Sequence, residues 1–187
     1  MLDSTARERA IRCLWQQDAS PGQPRYPNLF AILDAARDER IYPRLRELAA
    51  TEEILCLYQG ATAQELASVA PYLVCLGSSD LVFDWLWNDG WDQDWGIFLW
   101  SVSSMNAMRE HFRRLTIVQT EEKQRLLFRF YDPRVLGVFL PTCDVRQLIE
   151  MFGTVVSRIM LPSNGGTTLD SFHMNGARLV KTSVDLS

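Results

Sequence analysis

Short apolar runs separated by amphipathic stretches constrain this chain more than any other feature of its sequence. The runs are too short for ordinary helices and lack polar alternation, which is typical of strands buried on both faces of a sheet. They cover residues 29–33, 54–58, 72–76, 96–100 and 126–131. The stretches between them predict helices. This order predicts an α/β fold with a mixed, mostly buried sheet flanked by helices, in one domain or in two lobes.

Residues that begin or end helices mark several of the predicted boundaries. Asp144 with Gln147, and Thr62 with Glu65, have the spacing of a capping box, in which two side chains satisfy free N–H groups of the first helical turn. Gly90 follows an apolar helical stretch and is expected to end that helix in the left-handed conformation.

Breaks in the pattern divide the chain into three predicted segments. Residues 1–24 form an N-terminal helix and a linker, which residues 20–24 mark with two prolines and a glycine. Residues 25–162 form the α/β domain. Residues 163–187 form a C-terminal β-hairpin extension, because Asn175 and Gly176 between two strand-like stretches are typical of a tight hairpin turn.

Charge and composition disfavour several kinds of protein. A net charge of −4 argues against nucleic-acid binding, since binding to phosphates needs a basic surface. No apolar run reaches the length of about 18 residues that a membrane span needs, and the N-terminus lacks the apolar part of a signal peptide. The four cysteines stand far apart in apolar surroundings, which predicts reduced thiols and a cytoplasmic protein.

Motifs for metal, nucleotide or nucleophile chemistry do not occur in the sequence. The two histidines, His111 and His173, have no partner at the spacing of metal ligands. A phosphate-binding glycine loop and a nucleophile elbow are also missing. We therefore expect neither a metal nor a cofactor.

Two aspartates admit two interpretations. Asp34 and Asp132 each follow an apolar run, where open α/β sheets place active groups, and Arg129 and Arg134 flank Asp132. One interpretation is an enzyme that uses the aspartates for acid–base catalysis. In the other, which the sequence favours, Asp132 caps the helix that Pro133 begins and Arg129 pairs with a carboxylate.

Five of the six tryptophans fall between positions 85 and 100. Trp91 and Trp95 lie among three aspartates, so at least one of them is expected to be exposed. Exposed aromatic side chains of this kind mark surfaces that bind proteins, whereas the acidic neighbours disfavour stacking on nucleic-acid bases. The alternative is that the tryptophans at positions 85, 87 and 100 belong to the core and that the loop tryptophans cover it.

Several stretches together resemble one known family. They read FAILDAARD at residues 30–38, IYP at 41–43, CLYQG at 56–60, ELASVAPYLV at 65–74, WGIFL at 95–99, HFRRL at 111–115 and FRFYDPRV at 128–135. In this order they resemble the adaptor/chaperone family of bacterial type VI secretion. The resemblance covers residues 30–153. The segments outside it are expected to vary with the cargo, and the loop at 91–95 is more acidic than the family leads one to expect.

The resemblance implies a protein that is not an enzyme. Such an adaptor binds a cognate secreted effector and helps to load it onto the VgrG/PAAR spike. In family terms Arg129, Tyr131, Asp132 and Arg134 are a structural signature. We expect partner contacts at Trp91, at Trp95 and in the hairpin that carries Phe172. The rival hypotheses are a small acid–base hydrolase that uses Asp34 and Asp132, and a permanent structural subunit of a larger assembly.

Overall fold

An antiparallel sheet of seven strands forms the middle of this computed structural model. The structure describes residues 4–15, 28–48, 54–76, 80–119, 123 and 125–187. The predicted linker at residues 20–24 lies outside these ranges. In the described residues the order of the strands across the sheet is Ile54–Cys56, Pro71–Cys75, Asn28–Asp34, Gly96–Ser101, Arg158–Ser163, Thr168–Asn175 and Arg178–Asp185. Ile117–Gln119 pairs with Arg125–Leu127 as a separate two-stranded ribbon.

The described elements follow one another as the alternation of apolar runs and amphipathic stretches predicts. The strands are β1 Asn28–Asp34, β2 Ile54–Cys56, β3 Pro71–Cys75, β4 Gly96–Ser101, β5 Ile117–Gln119, β6 Arg125–Leu127, β7 Arg158–Ser163, β8 Thr168–Asn175 and β9 Arg178–Asp185. The helices are α1 Ser4–Leu14, α2 Ile41–Leu48, α3 Gly60–Glu65, α4 Asp80–Trp85, α5 Met105–Leu115, α6 Pro133–Phe139 and α7 Val145–Phe152. The α/β fold class is therefore confirmed.

The sheet separates two hydrophobic cores, because successive side chains of a strand point to opposite faces. In β1, Leu29, Ala31 and Leu33 pack against α1, α2 and α4, on what we call the α1 face. Phe30 and Ile32 pack against α5, α6 and α7, on the α5 face. The prediction that the inner strands are covered on both faces is confirmed. Every pair of described strands runs antiparallel, so this part of the sheet has none of the parallel pairs that a mixed sheet would contain.

The helix-starting signals are confirmed at one predicted capping box and wrong at the other. Asp144 and Gln147 exchange the two capping-box hydrogen bonds at the start of α7. Thr62 lies inside α3, which begins at Gly60 and has no side-chain cap. Gly60 has a φ of +56°, so the backbone turns two residues after the predicted strand at 54–58, of which residues 54–56 form β2.

Two other boundaries differ from the sequence prediction. The strand predicted over residues 126–131 ends at Leu127, and the buried Phe130 and Tyr131 lie in a turn in which the Asp132 N–H donates to the Arg129 carbonyl. An apolar run indicates that its residues are buried, but buried residues do not have to lie in a strand. The C-terminal hairpin is confirmed, but its loop is Gly176 and Ala177, one residue later than predicted, with a φ of +59° at Gly176.

The N-terminal, central and C-terminal segments at 1–24, 25–162 and 163–187 stay a prediction. The C-terminal strands β8 and β9 extend the same sheet as β1 and β4. Within the described ranges, no helix combines the length and the apolar character that crossing a bilayer requires.

Candidate functional site

The tryptophan-rich segment after α4 follows an unusual backbone path. Residues 86–90 form a π-helical turn, and Trp91 continues it in helical conformation. Gly90 does not adopt the predicted left-handed conformation, since its φ is not positive. A Cβ at this position would lie 2.2 Å from Cε3 of Trp95, so the glycine is needed for the close approach of that ring.

Trp91 and Trp95 are both buried, which makes the expected exposure of this loop wrong. They are 3% and 2% exposed. The Trp91 indole N–H donates to the Gly166 carbonyl at 2.9 Å, and the Trp95 ring packs 5.4 Å from that of Trp85. The loop directs its indoles inward and its aspartates outward, so acidic neighbours in sequence do not predict an exposed ring. The tryptophans that the alternative placed in the core are half-buried: Trp85, Trp87 and Trp100.

An open acidic groove lies on the outer side of this loop. It has a volume of about 530 Å³. Its lining residues are Arg40, Trp87, Asn88, Asp89, Trp91, Asp92 and Gln93. The Arg40 guanidinium lies 3.6 Å from the Asp89 carboxylate and 5.3 Å from the Trp95 ring, so it connects the rim to the buried aromatic layer. Arg40 also hydrogen-bonds Asp38 at 2.7 Å, which lowers the pKa of that carboxyl to about 2.

Phe172, the third predicted contact, is fully buried in β8. It belongs to the core on the α5 face, and the Lys181 ammonium lies 5.5 Å from its ring centre. The hairpin therefore offers a partner its backbone and its outer side chains rather than this ring. Contacts of Trp91, Trp95 and Phe172 with a partner stay a prediction, and their burial means that any direct contact requires these segments to move.

The signature residues meet at the end of β1. The carboxylate of Asp34, which is fully buried, pairs with the Arg129 guanidinium and also accepts the Ala36 N–H at 3.1 Å. Tyr131 is buried beside them, with its hydroxyl 3.5 Å from that of Tyr58. Burial raises the pKa of the Tyr131 phenol, and the contact with Tyr58 adds to this effect.

Asp132 acts as a helix cap, as the structural interpretation predicts. Its carboxylate accepts the Arg134 N–H at 3.0 Å at the start of α6, and it binds the Arg134 guanidinium through both oxygens at 3.0 and 2.7 Å. Burial alone would raise the pKa of Asp132. The hydrogen bonds from Arg134 outweigh burial, and the pKa lies below its ordinary value. The pairing of Arg129 with a carboxylate is also confirmed.

The same arginine-rich cluster fixes the tryptophan loop. Arg134 lies 3.6 Å from Asp94, and Arg37 donates to the Gln93 carbonyl at 3.3 Å. The Asp34 N–H donates to the Trp95 carbonyl at 2.8 Å. Asp94 has a φ of +57°, an uncommon conformation for a residue other than glycine, so these contacts hold a strained turn in place. One signature residue, Arg134, thus contacts the loop whose outer side forms the groove.

One comparison with known proteins identifies the family. A family model described as a domain of unknown function (DUF4123) matches residues 29–150, about two thirds of the chain.

The chain belongs to the DUF4123 family.

This family is associated with type VI secretion. No curated protein and no solved structure matches the chain. The DUF4123 match contains all four signature residues and the tryptophan loop, whereas Phe172 and the C-terminal hairpin lie beyond it. The resemblance to this secretion-associated family is therefore confirmed, and the functional role of its members enters below as a proposal.

The sequence of this DUF4123 chain predicted the signature residues but not the contact of Arg134 with the tryptophan loop. Arg37, Arg40 and Gln93 were not singled out, although Arg37 holds the Gln93 backbone and Arg40 and Gln93 line the groove. A pairing between residues 56 positions apart leaves no periodic signal in one sequence. Within the described ranges, no three histidine, cysteine or acidic side chains come together as a metal site requires.

Arg129→Ala is expected to lower the free energy of unfolding by about 2–3 kcal/mol. Removing one partner of a buried ion pair leaves the other charge uncompensated, and the cost lies at the low end here because 43% of the Arg129 side chain is exposed. Urea denaturation of the purified chain measures the change. Asp34→Asn in the Arg129→Ala background should recover part of the loss. A single variant as stable as the parent would contradict the role given to this pair.

Proposed function

We propose that this protein is a non-enzymatic adaptor that binds a cognate type VI secretion effector in the cytoplasm and helps to load it onto the VgrG/PAAR spike. The observation that carries the proposal is the DUF4123 match over residues 29–150, together with the association of that family with type VI secretion. In this role the protein would cover an apolar segment of the effector until loading, and so suppress its aggregation.

The geometry of the two aspartates supports a binding role over the rival hydrolase. Asp34 is tied to Arg129, and Asp132 is tied to Arg134 and to the first turn of α6. An acid–base pair needs carboxyl groups that are free to exchange protons with a substrate. Here each carboxylate is occupied by the protein's own cations, and each has a structural task.

The surface also supports a binding role. Large apolar side chains are exposed on several described elements: Leu81, Val102, Leu127, Val138 and Ile149. Contact with a partner would remove the apolar surface of these side chains from water, which favours binding. The acidic groove beside Trp87 is a concave surface on which part of a partner could bind. In this proposal the buried Trp91 and Trp95 maintain the shape of the groove.

Co-expression tests the proposal. The chain would be produced together with the protein encoded by the gene next to its own, and the mixture would be separated by size-exclusion chromatography with light scattering. We expect a defined complex, and we expect the neighbouring protein to be insoluble or degraded when it is produced alone. Two well-behaved proteins that elute separately would contradict the proposal for this pair. A chain that is itself insoluble without the partner would favour the permanent structural subunit.

A further inference from the structure

The last strand, β9, presents a long sheet edge. Among the described residues no strand pairs with its outer side. Its loop of two residues makes Asn175 and Arg178 a hydrogen-bonded pair, and from there the bonding alternates along the strand. The Leu186 N–H donates to the Thr167 carbonyl at 2.8 Å, which continues the same series. The even-numbered residues therefore bond to β8. The backbone groups that point outward are those of Leu179, Lys181, Ser183 and Asp185.

The opposite edge of the sheet, strand β2, is protected in two ways that β9 lacks. It has only three residues. The Leu57 N–H donates to the Pro71 carbonyl, so the backbone of Cys56 faces outward, and there its carbonyl accepts the Arg109 guanidinium at 3.0 Å. Short length and covering charges are common protections against unwanted strand pairing. An arginine thus blocks one edge of this sheet.

Strand β9 has eight residues in unbroken register, with neither a bulge nor a proline. Its one lysine does not guard the edge, because the Lys181 ammonium folds back onto its own sheet. It lies 2.9 Å from the Asp170 carboxylate and 5.5 Å from the centre of the Phe172 ring. An arginine covers only the backbone just beyond the strand, where Arg9 donates to the Ser187 carbonyl. The edge from Arg178 to Asp185 is long and open, which makes it a ready template for another strand.

We infer that this edge binds an extended segment of the effector by strand addition, an inference that rests on the proposed function. The side chains of β9 on the α1 face indicate which effector sequence would fit beside the strand. Val180 and Val184, the latter 37% exposed, favour β-branched or other apolar residues beside them. Arg178 is exposed at the start of the strand and favours an acidic residue opposite. The segment is therefore an alternating apolar strand with an acidic residue at one end.

A second copy of this chain is a poorer occupant for geometric reasons. In an antiparallel pair of strands, residues directly opposite each other point to the same face of the sheet. The two-fold axis of a dimer paired through β9 must therefore pass through a residue of β9, because an axis between two residues would place side chains of opposite faces beside each other. Overlap of all eight residues is thus impossible. Centring on Lys181 leaves Asp185 without a strand residue opposite, and centring on Thr182 places Leu179 opposite Asp185 twice. An apolar residue opposite a charged one forms no favourable pair, and a foreign strand meets none of these constraints.

A matched pair of variants at Ser183 tests the inference. Ser183→Pro removes an N–H that points outward and leaves the ladder with β8 complete. Ser183→Ala loses the same hydroxyl contact, 2.5 Å to Asp170, and keeps the N–H. With the co-expressed neighbouring protein as the probe, we expect Ser183→Ala to bind like the parent and Ser183→Pro to bind about tenfold more weakly or worse. Thermal unfolding shows whether both variants are folded.

Hydrogen exchange of the unchanged chain gives a second reading that does not depend on the fold of a variant. In the free protein, the amides of residues 179, 181, 183 and 185 should exchange faster than those of residues 180, 182 and 184. In the complex the outward set should become protected. Equal binding by the two variants, or unchanged exchange in the complex, would contradict effector binding at the β9 edge and leave the adaptor function unaffected. A parent chain that does not bind the neighbouring protein would contradict both the edge and the adaptor function. Dimers of the free chain that Ser183→Pro abolishes would assign the edge to a second copy of this chain.

Discussion

Trp91→Ala is expected to lower the free energy of unfolding by about 3–5 kcal/mol, the usual cost of removing a buried tryptophan side chain from a core. The indole is 3% exposed and packs within 5.4 Å of the Phe98 ring and 4.8 Å of the Trp87 ring. The substitution also removes the donor to the Gly166 carbonyl, which lies in the turn between β7 and β8. Trp91 therefore joins the tryptophan loop to the C-terminal part of the sheet, and urea denaturation followed by circular dichroism measures its contribution.

Trp87→Ala is the matched control for this prediction. Trp87 lies in the same loop and lines the same groove, but it is only half-buried, so its loss should cost clearly less stability. If Trp91 were instead a surface contact, its variant would unfold like the parent and would lose effector binding. Stability equal to that of the parent would show that the packing described for Trp91 is wrong.

Gly96→Ala is expected to prevent formation of the native sheet, or to cost about 4 kcal/mol or more. A Cβ at Gly96 would lie 2.1 Å from the Ile32 carbonyl oxygen, which belongs to the backbone of the adjacent strand β1. A backbone oxygen in a central strand cannot rotate away as a side chain can. Relief of the clash would therefore require β1 and β4 to move apart, and both cores depend on these two strands. Circular dichroism and the yield of soluble protein measure the outcome.

Gly137→Ala provides the contrast. Gly137 lies in α6, where the nearest atom to an added Cβ is Cδ1 of Leu161 at 3.2 Å. A flexible leucine end can shift by a few tenths of an ångström, and alanine favours a helix over glycine by about 1 kcal/mol. We expect this variant to lie within about 1 kcal/mol of the parent. Two variants of equal stability would contradict the account of Gly96.

The predictable part of the fold consists of features that neighbouring residues determine. The apolar runs of β1, β3 and β4 predict buried strands, and Asp132 and Asp144 cap their helices as local hydrogen-bonding rules predict. The mistaken parts depend on distant contacts. Phe130, which stacks 5.3 Å from Phe112, lies in a turn rather than in the predicted strand.

The candidate site shows the same division. Asp132 was predicted correctly as a cap, since its partner is two residues away. The orientation of Trp91 was predicted wrongly, since its indole is fixed by Gly166, which is 75 residues away. One sequence shows that aromatic and acidic residues are neighbours in the loop. It does not show which set the rest of the protein covers.

The strand order has a consequence for synthesis of the chain. Strands β1 to β4 are complete by residue 101, whereas β7, the partner of the outer side of β4, begins only at residue 158. On the ribosome, where domains form from the N-terminus onward, β4 is therefore a temporary edge strand. The apolar side chains that later pack against α5, α6 and α7 stay exposed to water until those helices emerge. Residues 158–187 do more than lengthen the sheet. Once β7 pairs with β4, β4 changes from an edge strand into an interior strand, and a nascent chain stalled before residue 158 would leave this central strand exposed.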